Sequence, residues 1–202
     1  AEAQIKNEAD LDRAEYIHLL LDLRRQAHDL GLWLPHMPDE WGGMGLGHVE
    51  LAMVQAEAAK AYYGPFALNC MAPDEGNMHT LLHWGTDEQK ERYLRPLCEG
   101  TAMSCFAMTA PEVAGSDPTL IRTTAVQDGD EWVINGHKWF ISNARRASFA
   151  ILIARTEDNP DLPQAANTAF LVAVPSEGSE RVRELETMHG GTGHSEIVIE
   201  DL

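Results

Sequence analysis

The hydrophobic period of this chain changes once, near Ala102, and that change limits what it can fold into. Before it, apolar residues recur every three or four positions. Ile17, Leu20, Leu21, Ala27 and Leu30 lead to Gly31, a glycine placed to cap a helix C-terminus, so residues 10–31 read as an amphipathic helix. Residues 48–61 are alanine-rich, with Leu51, Val54, Ala58 and Ala61 at helical spacing, the pattern of a helix packed closely on its neighbours. Thr86-Asp-Glu-Gln89 has the form of a capping box and predicts a helix start. Pro96 should disrupt that helix and Gly100 should end the region.

After Ala102 the period is two. Segments 103–109, 121–127, 131–135, 137–142, 149–156, 168–174 and 196–200 read as strands. Asp128-Gly129 and Asn135-Gly136 lie between alternating runs as tight-hairpin signals. Helices first and strands after predict an α+β chain, with a helical domain over 1–101 and a β-rich domain over 102–202, and not a βαβ nucleotide fold.

Bulk properties narrow the function classes. The chain has 202 residues, enough to bury a core without staples. Its 32 acidic against 15 basic residues leave a formal charge of −17, which repels nucleic acid and anionic membrane surfaces. The longest apolar runs, 149–154 and 169–174, are too short to span a bilayer. Cys70, Cys98 and Cys105 form no Cys-x-x-Cys pair and are odd in number, so they read as core thiols in a reducing compartment. The same cysteine usage is the ground for expecting a protein that is not secreted; the N-terminus has no basic-then-apolar signal pattern and does not begin with Met, so it gives no targeting signal to read.

Two segments carry the chemistry. The run from Cys105 to Asp117 is a short apolar strand entering a loop of small residues, where backbone N–H groups and the Thr109 and Ser116 hydroxyls can meet phosphate or ring oxygens. The run from Asn135 to Asn143 is a strand. Simple alternation puts Phe140 and Ser142 on one face and Trp139 and Ile141 on the other. A ring beside a hydroxyl suits a flat heterocycle, which needs a surface to stack on and a partner for its edge. The plainer reading is a buried strand and turn.

Other candidates carry less. His36, His79, His83, His137, His189 and His194 are scattered; His79 and His83 are four apart on an expected helix, but no third ligand stands at zinc-site spacing, so no metal site is predicted. Gly190-Gly-Thr-Gly193 lacks the Lys-Ser/Thr and the following helix of a phosphate loop and reads as a turn between strands.

Phe106-Ala-Met-Thr-Ala-Pro111 with Gly115-Ser-Asp117, then Asn135-Gly-His-Lys-Trp-Phe-Ile-Ser-Asn143, resembles the FAD-binding middle domain of acyl-CoA dehydrogenases. Pro38-Asp-Glu-Trp-Gly-Gly43, the stretch 50–59, Trp84-Gly-Thr-Asp-Glu-Gln-Lys-Glu-Arg-Tyr-Leu94 and Met188-His-Gly-Gly-Thr-Gly-His-Ser-Glu-Ile-Val-Ile-Glu-Asp-Leu202 agree in the family's order. The resemblance implies a helical N-terminal domain followed by an antiparallel, β-barrel-like middle domain. It also implies a bound FAD lined by Phe106, Met108, Thr109, Gly115, Ser116, Phe140, Ile141 and Ser142, with the Ser142 hydroxyl toward flavin N5 and Ser116 also near the thioester substrate. Phe140 stands where the family often has Trp and Ser142 where it often has Thr. Thr109-Ala110-Pro111 replaces the usual Thr-Glu-Pro, and the loop to Ser116 is one residue longer than the commonest form.

The implied activity is oxidation of an acyl-CoA thioester to its α,β-unsaturated form, as in fatty acid β-oxidation. An electron-transferring flavoprotein is the implied acceptor and a homo-oligomer the implied assembly. The family's glutamate base belongs to a C-terminal helical domain, so no catalytic residue is assigned here and the chain is expected to be a fragment without turnover of its own. An acyl-CoA oxidase on the same scaffold and a non-catalytic binding or assembly module are the alternatives. The expected setting is bacterial cytoplasm, or a mitochondrion or peroxisome.

Overall fold

A computed structural model describes residues 13–157, 161–188 and 193–202. The chain divides into two compact units, Ala1–Thr101 and Ala102–Leu202.

The first unit is helical. Helix α1 (Arg13–Asp29) closes through Gly31, whose positive φ of 70° lets its own N–H reach the His28 carbonyl while the Leu32 N–H reaches Ala27. Helices α2 (His48–Ala58), α3 (Gly64–Ala67) and α4 (Asp74–Trp84) follow. Thr86 opens the next run with the predicted capping box: its hydroxyl accepts from the Gln89 N–H, and the Gln89 side chain accepts from the Thr86 N–H. That run does not break at Pro96. Helix α5 (Asp87–Gln89) passes through a π turn (Lys90–Leu94) into α6 (Arg95–Cys98), and the wider π turn, in which the Arg95 N–H bonds to the Lys90 carbonyl, immediately precedes Pro96.

Polar groups help to knit this interior. Arg24 is buried, stacks on Trp33 and Phe66 at 4.9 Å each, and donates to Asn69, which donates to the Leu97 carbonyl. Helix α2 departs from the close packing expected of its alanines: none of its residues is buried, and Val49 and Met53 are exposed.

The second unit is a curled mixed sheet. Its described strands are β1 (Ser104–Ala107), β2 (Thr124–Asp128), β3 (Glu131–Ser142), β4 (Phe149–Arg155), β5 (Asn167–Ala173), β6 (Ser179–Leu185) and β7 (His194–Ile199). Strand β4 pairs along one edge with β5, antiparallel, and along the other with β1 and then, at Thr124↔Arg155, β2, both parallel. A hairpin at Gly129 joins β2 to β3; β3 pairs with β7 and β7 with β6, all antiparallel. The expected antiparallel sheet is thus mixed at β4. Small side chains (Ala107, Ala144, Ala147, Ala150, Ala154) pack with Ile141, Leu152 and Ile199 as its core.

Two strand expectations change. Asn135-Gly136 is no turn, and β3 runs straight through it. A Cβ on Gly136 would lie 2.5 Å from the Thr123 Oγ1, so this glycine permits a close approach of chains. The Asn135 side chain meanwhile exchanges two hydrogen bonds with Asp201. Strand β6 is not among the predicted strands: Ser-Glu-Arg-Val-Arg-Glu-Leu is mostly charged because the strand is an exposed edge.

Candidate functional site

Strand β1 buries Ser104, Cys105 and Ala107 and leaves Phe106 37% exposed. Strand β3 does not alternate simply. Its register against β7 shifts between Lys138 and Ile141, and Phe140 takes a positive φ of 51°. This bulge places two buried residues, Lys138 and Ile141, three apart, and turns Phe140 out to 45% exposure. A non-glycine residue in the left-handed region costs conformational energy and marks a position worth functional scrutiny.

The two motif segments lie side by side in antiparallel order. Asn143 Nδ2 donates to the Ser104 carbonyl at 3.0 Å, Lys138 Nζ to the Met108 carbonyl at 2.8 Å, and the Trp139 N–H to the Thr109 carbonyl at 3.0 Å. Thr109 Oγ1 donates to the Trp139 carbonyl at 2.5 Å. A side chain at Gly115 would press on the Thr109 methyl, 3.3 Å from its Cβ. Phe106, Met108, Thr109 and Phe140 therefore belong to one continuous wall, at which the loop through Gly115 and Ser116 begins. Ile141 is 1% exposed in the sheet core and offers the wall only its backbone. Ser116 lies exposed on the loop.

Lys138 is the most unusual group in the wall. Fully buried, its Nζ also donates to the Ile153 carbonyl at 2.8 Å, and desolvation pulls its pKa down to about 8 against the opposing pull of Glu112. Ser142 meets an unpredicted partner: its Oγ lies 2.9 Å from His194 Nδ1, and the His194 ring faces the Phe140 ring edge-on at 6.2 Å. His137, also unpredicted, bridges Glu112 and Glu196 at 2.8 Å each. Both histidines are visible in the sequence, but their partners are too distant along the chain for spacing to reveal them.

The arrangement fits a large planar cofactor with a phosphate tail. It supplies two outward aromatic rings, a hydroxyl two residues beyond one of them, and an exposed loop of mostly small residues. The remaining features compete poorly for that role. A cavity of about 260 Å³ inside the curl is lined mainly by alkyl groups such as Ala107, Leu152, Val172 and Ile197, and includes no predicted site residue. In the helical unit the His36 and His79 rings are 5.2 Å apart and His79 stacks on His83 at 6.2 Å, yet among the described residues no group of three or more His, Cys, Asp or Glu is placed to hold a metal. Burial and His79 push His36 down to about 4, so it stays neutral. The glycine run 190–193 lies outside the described residues except for Gly193.

Comparison with known proteins is consistent along the chain. Residues 1–101 match the acyl-CoA dehydrogenase N-terminal domain and residues 105–202 the acyl-CoA dehydrogenase middle domain. Human acyl-CoA dehydrogenase family member 11 is 35% identical over 97% of this chain, which covers 26% of that protein. A Mycobacterium abscessus protein assigned to the acyl-CoA dehydrogenases superposes with a TM-score of 0.86 at 34% identity, over 99% of this chain and 50% of its own. A glutaryl-CoA dehydrogenase from Mycobacterium smegmatis, solved in complex with FADH2, gives 0.70 at 27% identity over 90% and 45%. With both of its units matched in order, the chain belongs to the acyl-CoA dehydrogenase family.

Proposed function

We propose that this chain supplies the N-terminal and FAD-binding middle domains of an acyl-CoA dehydrogenase. The observation that carries the reading is the antiparallel wall in which Lys138 and Trp139 tie Met108 and Thr109 beside the bulged Phe140. The mycobacterial relative solved with FADH2 supports the choice of cofactor. When bound, FAD accepts the hydride that leaves the β-carbon of an acyl thioester while the α-proton passes to a carboxylate base. This chain's residues bind and orient. Phe140 and Phe106 offer ring faces, the loop through Gly115 and Ser116 offers N–H groups and a hydroxyl, and Ser142 offers a donor for the flavin edge. Ser116 also faces the thioester arm. No carboxylate in the chain is assigned as the base.

An electron-transferring flavoprotein is the proposed acceptor, a homo-oligomer the proposed assembly, and a reducing compartment the proposed setting. The three buried free thiols accord with that setting. The test is spectroscopic. Full-length protein should purify with flavin absorbance that bleaches anaerobically on addition of a saturated acyl-CoA, with the enoyl-CoA as product. Protein that carries no flavin and takes up none on incubation with FAD would overturn the reading.

A further inference from the structure

We infer that His137 is a positioning residue for the loop Ala110–Asp117, a proton-loaded latch that ties Glu112 on that loop to Glu196 on the sheet. The inference deepens the proposed function, and rests on it only for what the loop faces.

The argument is a count of hydrogens. His137 Nδ1 lies 2.8 Å from Glu112 Oε1, and His137 Nε2 lies 2.8 Å from Glu196 Oε1. A neutral imidazole has a single N–H and can serve one of these oxygens; its second nitrogen would turn a lone pair toward the other carboxylate. Closing both contacts therefore takes one proton more than closing either alone.

The surrounding charges decide which side lets go when that proton leaves. Glu196 is buried on β7, and its second oxygen accepts from Arg183 Nε of β6 at 2.5 Å. Arg183 and then His137 hold its carboxyl below the usual range, so it stays ionised and anchored. Glu112 sits on the loop with its side chain 38% exposed, and water can replace its bond to the ring. The next residue of β3, Lys138, is buried and feels the Glu112 charge, but commits two of its three ammonium hydrogens to the Met108 and Ile153 carbonyls. Beyond Arg183 on β6, Arg181 pairs with Glu184 at 3.4 Å and leaves His137 to the groups already named. Loss of the proton thus releases the Glu112 side. The sheet side holds.

The consequence is a loop fixed at its start by the Thr109 and Trp139 bonds, just past its end by the Asn167 bond to the Pro118 carbonyl, and between them by a contact that depends on one imidazole proton. With that proton in place the latch is closed and Gly115 and Ser116 are held beside the wall. Without it the middle of the loop loses its tie to the sheet.

The experiment is hydrogen exchange on full-length wild type and Glu112→Gln, read by mass spectrometry as protection of segment 110–117 relative to segment 149–155 of β4 at pH 6 and pH 9. In wild type, protection of the loop should fall about threefold or more across that interval, the loss of one partly exposed charge-assisted bond. In Glu112→Gln the carboxamide accepts from an Nδ1–H or donates to a bare Nδ1, so the loop should stay protected at both pH values. Exposure of Glu112 lets this variant fold. Equal wild-type protection at the two pH values, or an unchanged pH dependence in Glu112→Gln, would overturn the latch. Flavin absorbance in the same samples separates the two claims: a flavin-free protein whose loop follows the expected pattern loses the function and keeps the latch, and a flavin-bound protein with a pH-independent loop does the reverse.

Discussion

Lys138 Nζ donates to the Met108 carbonyl from a position with no solvent exposure, so a lysine ammonium fastens one motif strand to the other from beneath. Removing it leaves the part-buried carbonyls of Met108 and Ile153 without this donor. Lys138→Met should therefore lower stability by about 1–3 kcal/mol in urea denaturation at pH 7, despite a similar apolar volume. The pH dependence has a definite sign. The folded pKa is about 8 and the unfolded value 10.5, so between them the unfolded chain holds the extra proton and stability gains with rising pH. That gain should be present in wild type between pH 8 and 10.5 and absent from Lys138→Met. A parallel pH profile in the two proteins would show that the ammonium is not desolvated.

Gly129 and Gly136 should separate by cause. Gly129 has a φ of +64° with nothing within 4 Å of the point where a Cβ would stand, so Asn, which tolerates the left-handed region, should cost less there than about 1 kcal/mol. At Gly136 the obstacle is Thr123, whose Oγ1, Cγ2 and Cβ all lie within 2.7 Å of a Cβ. Gly136→Ala should cost about 1–3 kcal/mol by overpacking, with a matching drop in thermal midpoint. Equal tolerance at both positions would contradict the close contact.

The contrast between these glycines also explains what was legible in the sequence. The helix cap at Thr86 and the hairpin at Gly129 are local, and each was readable from a few neighbouring residues. Asn135-Gly136 has hairpin composition for a non-local reason, the approach of Thr123 and the Asp201 partner 66 residues away. The charged β6 carries no apolar rhythm, since consecutive side chains from Glu180 to Arg183 are exposed and neither face is buried there. At the site, the bulge at Phe140 and the histidine pairings were not legible. His137 finds its carboxylates 25 and 59 residues away, distances set by sheet order.

Phe140 and Trp139 should part company. In the full-length protein Phe140→Ala should weaken flavin retention by about 0.5–1.5 kcal/mol beyond lost area, measured by FAD titration of apoprotein, with little change in melting. Phe140 is the more exposed ring, while Trp139 packs edge-on against it at 5.0 Å and is half-buried. Trp139→Ala should instead lower the melting temperature. An exchange of the two effects would mean that the bulge presents Trp139 to the cofactor.

Ser142 has one hydroxyl hydrogen and two claims on it. Its Oγ lies 2.9 Å from His194 Nδ1, and if that nitrogen accepts, the hydrogen is spent within the protein. If His194 carries its proton on Nδ1, it donates to Oγ, and the Ser142 hydrogen is free for flavin N5. The proposed role requires the second arrangement. A donor at N5 favours the electron-rich reduced ring over the oxidised one, so Ser142→Ala should lower the flavin potential and slow substrate bleaching severalfold, the scale of one hydrogen bond of about 0.5–1.5 kcal/mol. Ser142→Thr should be close to silent where the added methyl fits. His194→Phe removes the imidazole that orients the hydroxyl and should fall between wild type and Ser142→Ala in both measurements. Potentials by dye equilibration and bleaching by anaerobic stopped flow on full-length protein would report all three variants. Wild-type values in Ser142→Ala would place the hydroxyl away from N5 and leave the Ser142–His194 contact as a tie between β3 and β7.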